Sequence, residues 1–183
     1  RQREGLEVIN SQAKNLTAFL DSYHRLTHLP EPEYKTVSVP ALFTKLERLL
    51  QAEPRSERVV YCDGKADRST GKELQVYGDA NLLTLALINL IRNALQAVEG
   101  QEDGIVRVDT CAGATGHLLI IITDNGPGIP PERLSAIFTP FFSTKSGGSG
   151  IGLPISQRIM QLHGGQLSVS SIPNVRTEFR MEF

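Results

Sequence analysis

Leu118-Leu119-Ile120-Ile121-Ile122-Thr123-Asp124-Asn125-Gly126-Pro127-Gly128-Ile129 is the stretch on which the fold turns. Leu118 to Ile122 is the longest purely apolar run of the chain. A bilayer crossing needs about 20 apolar residues, so the run is far too short to span a membrane. Apolar on both faces, it predicts a central, fully covered β-strand. The strand ends on a carboxylate, Asp124, followed by two glycines in three residues. Ligands of open α/β sheets gather at strand ends. Bare glycines let backbone approach a flat ligand, and a carboxylate accepts a hydrogen bond from an exocyclic amine, which ATP has and GTP lacks at that position. Asp-Asn-Gly is equally an ordinary turn, and both readings stay open on this stretch alone.

Working outward, Ile105 to Thr110 predicts a second strand. Before it, Leu82 to Val98 has helical apolar spacing, with Asp79 where an N-cap belongs. Further upstream, Val39 to Leu50 reads as a short helix. Arg58 to Cys62 and Leu74 to Tyr77 read as strands, separated by the polar stretch GKADRSTGK. Downstream, a helix is expected after Pro130-Pro131, then a loop from Phe138 to Gly152. A helix from Ile155 to His163 is closed by Gly164-Gly165. Gln166 to Ser171 and Thr177 to Phe183 end the chain as a hairpin-like pair of strands, and no internal repeat is visible. The sum is an α+β fold: a two-layer sandwich of one mixed sheet with helices on one face.

The N-terminal part is different. In residues 4–28, Leu6, Ile9, Ala13, Leu16, Leu20 and Tyr23 alternate in steps of three and four, the seam of a coiled coil or bundle. Leu29-Pro30-Glu31-Pro32-Glu33 stops that helix. The expected organisation is a helix over 1–29, a Pro-rich connector over 30–36 and a folded domain over 37–183.

A chain of 183 residues suffices for one domain and a short appendage. Hydrophobic residues at 40% and charged residues at 21% exclude a disordered tail, a collagen-like rod and a disulfide-stapled miniprotein. The net charge of −1 gives no electrostatic reason to expect nucleic acid or an acidic membrane surface as partner. Cys62 and Cys111, far apart, read as two buried thiols of a cytosolic protein. The start, RQREGLEVINSQ, has neither an initiator Met nor a signal-peptide core, so a piece of a longer chain is expected, cytoplasmic in location.

Two further features carry chemistry. Asn89 and Asn93 lie at i and i+4 on one face of the long helix. Both are poor helix-interior residues. An amide oxygen suits Mg²⁺ and an amide NH₂ suits a phosphate oxygen, although such amides also cap neighbouring loops. Phe138-Thr-Pro-Phe-Phe-Ser-Thr-Lys145 runs into Ser-Gly-Gly-Ser-Gly-Ile-Gly152, at a helix start. A glycine-rich loop feeding a helix N-terminus is a phosphate site of bare amides and dipole, with Lys145 as a point charge beside it. It is not a Walker loop, since Gly-Lys-Ser/Thr is missing.

In order, these segments resemble the motifs of sensor histidine kinases. Asn89…Asn93-Ala94 is similar to the N box and Asp124-Asn125-Gly126-Pro127-Gly128 to the G1 box. Phe138 to Lys145 resembles the F box with the start of the ATP lid, and Gly148-Ser149-Gly150-Ile151-Gly152-Leu153 the G2 box. The resemblance covers about 37–183 and has the flavour of the nitrogen-regulation type. The helix ending Tyr23-His24-Arg25-Leu26-Thr27-His28 resembles the second helix of the family's dimerisation hairpin.

The resemblance implies the Bergerat fold shared with gyrase, heat-shock chaperone and mismatch-repair ATPases. It makes Asn93 the Mg²⁺ ligand and Asn89 a phosphate-side partner. Asp124 would hold the adenine amino group directly and through water, and Gly126, Gly128 and Ile129 would border the base. Lys145 and the amides of Gly148, Ser149, Gly150, Ile151, Gly152 and Leu153 would hold phosphates, with Phe141 and Phe142 anchoring the lid and Thr177 below the adenine. Gln96 and Ala97 depart from the basic and aromatic residues common there, and Asn174-Val175-Arg176 replaces the usual glycines. Hydrolytic members carry Glu where this chain has Asn89, so transfer of phosphoryl to a side chain is expected rather than to water. The acceptor His would lie upstream of residue 1. His24, His28 and His163 read as helix-end residues, and His117 begins a strand. The implied partners are ATP, a response-regulator receiver domain and a second copy in the full-length protein. A degenerate nucleotide-binding module that signals without transfer is the alternative.

Overall fold

The computed structural model describes residues 17, 20, 23, 24, 27–62, 73–112, 117–144 and 148–183. In chain order the elements are β1 (Lys35–Ser38), α1 (Val39–Leu50), a 3₁₀ turn (Ser56–Arg58), β2 (Val59–Tyr61), β3 (Gln75–Gly78) and α2 (Ala80–Ala97). They continue as β4 (Val106–Ala112), β5 (Leu118–Asp124), α3 (Pro131–Leu134), α4 (Gly152–Leu162), β6 (Gln166–Ile172) and β7 (Arg176–Glu182). Five strands form a mixed sheet in the order β2-β4-β5-β7-β6, parallel at β2–β4 and antiparallel elsewhere. Helices α2 and α4 pack together and lie against β5 and β6, with α1 against α2.

Each helix is held by local chemistry. Ser38 Oγ caps α1 by accepting from Ala41 N at 3.2 Å. Pro40 falls in the first turn, where no intrahelical N–H bond is lost. Val39, Leu42, Leu46 and Leu50 then form its buried stripe. Asp79 caps α2 through Oδ1, accepting from Asn81 N at 2.8 Å and Leu82 N at 3.0 Å. Helix α4 closes in a left-handed turn at Gly164: Gly165 N donates to Met160 O at 2.9 Å and Gly164 N to Gln161 O at 3.1 Å, a Schellman arrangement.

Strand β5 is central, as expected, but covered on one face only. Leu118, Ile120, Ile122 and Asp124 are buried, on the side where α2 packs, while the alternate residues Leu119, Ile121 and Thr123 are half-buried. Strand β1 begins inside the stretch read as connector and pairs with β3 in a separate two-stranded ribbon, so β3 is not part of the large sheet. The helix after the prolines is a single turn, Pro131–Leu134. The cysteines are not buried thiols: Cys62 is half-buried and Cys111 exposed. Parity explains the latter, since Val106 and Val108 face the core and Cys111 points with exposed Arg107 to the outer face.

Of the heptad seam, only Leu20 and Tyr23 fall among the described residues, at 49% and 48% exposure. Leu6, Ile9, Ala13 and Leu16 lie outside them, as does the GKADRSTGK stretch.

Candidate functional site

The end of β5 carries the first half of the site. Asp124 is 3% exposed, and its Oδ1 accepts the Gly126 N–H at 2.9 Å. Directly across on β7 stands Thr177, also 3% exposed. A Cβ on Gly126 would come within 2.7 Å of Asp124 Oδ1 and 3.0 Å of Ala97 Cβ, so this turn folds tightly against α2. Gly128 has φ +73°, and a Cβ there would meet Ile172 O at 2.8 Å. Both glycines therefore let the loop close on the chain's own backbone. Asn125 is a structural tie: its Oδ1 accepts from Ile105 N at 2.8 Å and its Nδ2 donates to Asp103 O at 2.9 Å. Half-buried Ile129 packs on the core, and its N–H donates to Ser171 Oγ at 2.8 Å.

The second half is the seam between α2 and α4. Asn89 Nδ2 donates to Gly152 O at 3.4 Å. Asn93, one turn further on, is half-buried on the same face. Buried Ser156 donates to Gly152 O at 2.9 Å and approaches Ala86 O at 3.4 Å. Ile151 occupies the N-cap of α4, and no side chain caps this helix. Its first-turn N–H groups and the positive end of its dipole therefore suit an anion.

The lid is pinned at Gly150, whose carbonyl accepts the Phe141 N–H at 3.0 Å. Gly150 has φ +66°, and a Cβ there would lie 2.5 Å from Phe141 C and 2.7 Å from Phe142 O. Phe142 packs on the core, and Phe141 is 39% exposed with a left-handed backbone, φ 66°. Gly148 and Ser149 are exposed, and Ile151 is buried. Leu153 is half-buried against the core. Lys145 lies outside the described residues.

Beyond Asn93, Gln96 lines a groove of about 420 Å³ with Glu53, Pro54, Arg55, Arg92, Leu95 and Glu99. Its two arginines are matched by acids, Arg92 with Glu53 and Arg55 with Glu99. Among the described residues no three His, Cys, Asp or Glu side chains form a metal-type cluster. The amide oxygen of half-buried Asn93 is a hard donor of the kind Mg²⁺ takes, and Mg²⁺ binds through few protein ligands.

Two clusters thus form from the residues singled out in sequence: Asp124, Gly126, Gly128, Ile129 and Thr177 at the sheet end, and Asn89, Gly152 and Gly150 at the mouth of α4. Three contributors carry no such signal in sequence. Ser171 binds the loop through Ile129, Ser156 spans the α2–α4 seam, and His163 accepts the Asp79 N–H at 2.9 Å. All three act over long sequence separations; only the polarity of Ser156 on an otherwise apolar helix face could have flagged one of them.

This arrangement, strand-end carboxylate and uncapped helix mouth on a two-layer sandwich, defines the class of nucleotide-binding ATPase domains. Residues 78–183 match the family described as "Histidine kinase-, DNA gyrase B-, and HSP90-like ATPase", and the chain belongs to that family. It is 32% identical over 91% of its length to the sensor histidine kinase ZraS of Salmonella typhimurium, covering 34% of that protein. It is 34% identical over 95% of its length to the sensory histidine kinase/phosphatase NtrB of Vibrio alginolyticus, covering 50% of it. The chain thus spans half or less of these curated relatives. The solved catalytic domain of histidine kinase ThkA superposes with a TM-score of 0.67 at 27% identity, over 82% of this chain and 95% of that one.

Proposed function

We propose that this chain is the ATP-binding catalytic part of a sensor histidine kinase. It passes the γ-phosphoryl group of ATP to a His on a dimerisation helix outside this sequence, for relay to a response-regulator Asp. The observation that carries the reading is Asn89, whose amide sits 3.4 Å from Gly152 O at the α4 mouth. An amide takes no proton at neutral pH, so no general base for water stands there. What remains is positioning and charge neutralisation, the work phosphoryl transfer to a side chain requires.

In this reading Asp124 and Thr177 receive the adenine, with Gly126, Gly128 and Ile129 shaping its slot. The amides from Gly148 to Leu153 and the dipole of α4 receive the phosphates, with Phe142 holding the lid; Lys145 would add its charge to the phosphates. Asn93 would hold Mg²⁺, which supplies charge neutralisation on the phosphates when bound. Residues 1–29 are the second helix of a dimerisation hairpin, 30–36 the connector and 37–183 the catalytic domain, with Lys35 and Thr36 joining it through β1. The full-length protein is a homodimer whose ATP-binding part is cytoplasmic. Among the described residues, no helix is long and apolar enough to cross a membrane.

The test is incubation of the chain with labelled ATP, Mg²⁺ and a separate hairpin carrying the acceptor His. Acid-labile label on the hairpin is expected. ATP binding with no transfer to any His-bearing hairpin would instead indicate a module that signals by docking.

A further inference from the structure

Three side chains stand in a row across three strands. Ser171 on β6 pairs with Thr177 on β7, and Thr177 pairs with Asp124 on β5. Among the described residues, Ser171 Oγ has three polar neighbours. A serine hydroxyl has one proton and two lone pairs. Its Oγ accepts the Ile129 N–H at 2.8 Å, which uses one lone pair. It lies 3.1 Å from the Arg176 carbonyl oxygen, which can only accept, so the serine proton goes there. The remaining lone pair faces Thr177 Oγ1 at 3.3 Å and takes the threonine proton.

Thr177 then has no proton left for a ligand and presents lone pairs only. In the proposed function Asp124 meets the base as a carboxylate, which presents only acceptors; its Oδ1 also accepts the Gly126 N–H. The end of the sheet is a surface of acceptors. It suits an amino group, which brings two N–H donors, and leaves a carbonyl oxygen facing other oxygens.

We propose that Ser171 is a specificity-determining positioning residue: by holding the Thr177 hydroxyl proton, it fixes the Asp124–Thr177 pair as acceptors and so selects an amino-bearing purine over one with a carbonyl at that position. This rests on the reading that the base lies against Asp124 and Thr177.

The test measures ATP and GTP affinity by calorimetry for the wild-type chain, Ser171→Ala, Ser171→Thr, Thr177→Val and the double variant Ser171→Ala/Thr177→Val. The ratio of the two affinities is the readout, because any shift of the loop held through Ile129 weakens both nucleotides and cancels. Ser171→Ala frees the threonine hydroxyl to donate to a carbonyl, so the ATP preference is expected to fall on the order of two- to tenfold. Ser171→Thr keeps the hydroxyl and retains the preference. Thr177→Val lowers it, and adding Ser171→Ala to Thr177→Val changes it no further. An unchanged ratio in Ser171→Ala, with a changed one in Thr177→Val, overturns the role of Ser171 alone, as do effects that multiply in the double variant. An unchanged ratio in Thr177→Val overturns the placement of the base and the proposal with it.

Discussion

The backbone N–H of Asp79 donates to Nε2 of His163 at 2.9 Å, joining the start of α2 to the end of α4. The other ring nitrogen, Nδ1, lies 2.7 Å from Ile159 O. A carbonyl only accepts, so the partners assign the proton to Nδ1 and leave Nε2 as acceptor. His163 is therefore a neutral brace between two helices. The same corner receives the connector: Glu33 N donates to Asp79 Oδ2 at 2.8 Å and the Tyr34 hydroxyl to Leu162 O at 2.5 Å.

Gly78 is the neighbour that makes room for this brace, since a Cβ there would lie 2.5 Å from His163 Cδ2. Gly78→Ala is expected to lower stability by about 1–3 kcal/mol through overpacking. His163→Ala should cost a similar amount by leaving the Asp79 N–H unpartnered. Thermal melts of the double variant should show less than the sum, because the ring that clashes is gone. Strict additivity would mean the two positions do not press on each other.

Asp79 supplies a pH signature. Burial pushes its carboxyl upward, but the N–H groups of Glu33, Leu82 and Asn81 outweigh this and hold it below its usual value. A depressed native pKa stabilises the fold above the unfolded value, about 3.9. That contribution is lost as pH falls through the native value. Asp79→Asn keeps an N-cap oxygen but no charge. It should cost about 1 kcal/mol at neutral pH and flatten the decline in stability below about pH 4. Denaturant midpoints across that range would reveal an equally steep acid limb if the charge were irrelevant.

Asp124 is the base-reading carboxylate in the proposed function. Asp124→Ala should weaken ATP by about 10- to 150-fold, the worth of a hydrogen bond to a charged group. Asp124→Asn can still accept from Gly126 N but offers an NH₂ to the ligand, so it should lose its preference for ATP over GTP. Isothermal titration with both nucleotides distinguishes these outcomes from an unchanged affinity, which would remove Asp124 from the site.

Gly150→Ala should act on the lid without touching the core. Its φ of +66° is costly for alanine, and the colliding atoms are backbone of Phe141 and Phe142 rather than a flexible tip. ATP affinity should fall at least about tenfold, a cost of about 1.4 kcal/mol in binding, while the far-UV spectrum stays native. Wild-type affinity in this variant would show that the Phe141–Gly150 link is dispensable.

Asn93→Ala should make ATP affinity insensitive to Mg²⁺ while the melting temperature stays near wild type, because the metal would bridge phosphates rather than the core. A variant that melts early yet retains full Mg²⁺ dependence would make Asn93 a structural amide.

Much of this was legible because local rules agreed with the global fold. Asp79 before an apolar-periodic segment marks the start of α2, and Gly164-Gly165 marks the end of α4. The strand-end Asp124 and the glycine loop before α4 likewise stood out by residue type and position. The one-sided covering of β5 was not legible, since Leu-Leu-Ile-Ile-Ile looks the same from both faces. Strand β1 was hidden because four residues beside a Pro-rich stretch show no period, and its partner is some forty residues away. His163 looked like an ordinary helix-end residue; its role as an acceptor depends on a residue 84 positions distant.

The α2–α4 seam also governs which changes in chain length the fold can absorb. Three polar contacts step along it in opposite directions: Asp79 with His163, Ala86 with Ser156, and Asn89 with Gly152. One residue inserted between the first and last of these would turn the rest of that helix by about 100° and slide it about 1.5 Å. Asn89 would then face away from Gly152 while Asp79 still held His163. The seam therefore tolerates substitution better than any change in length between its contacts.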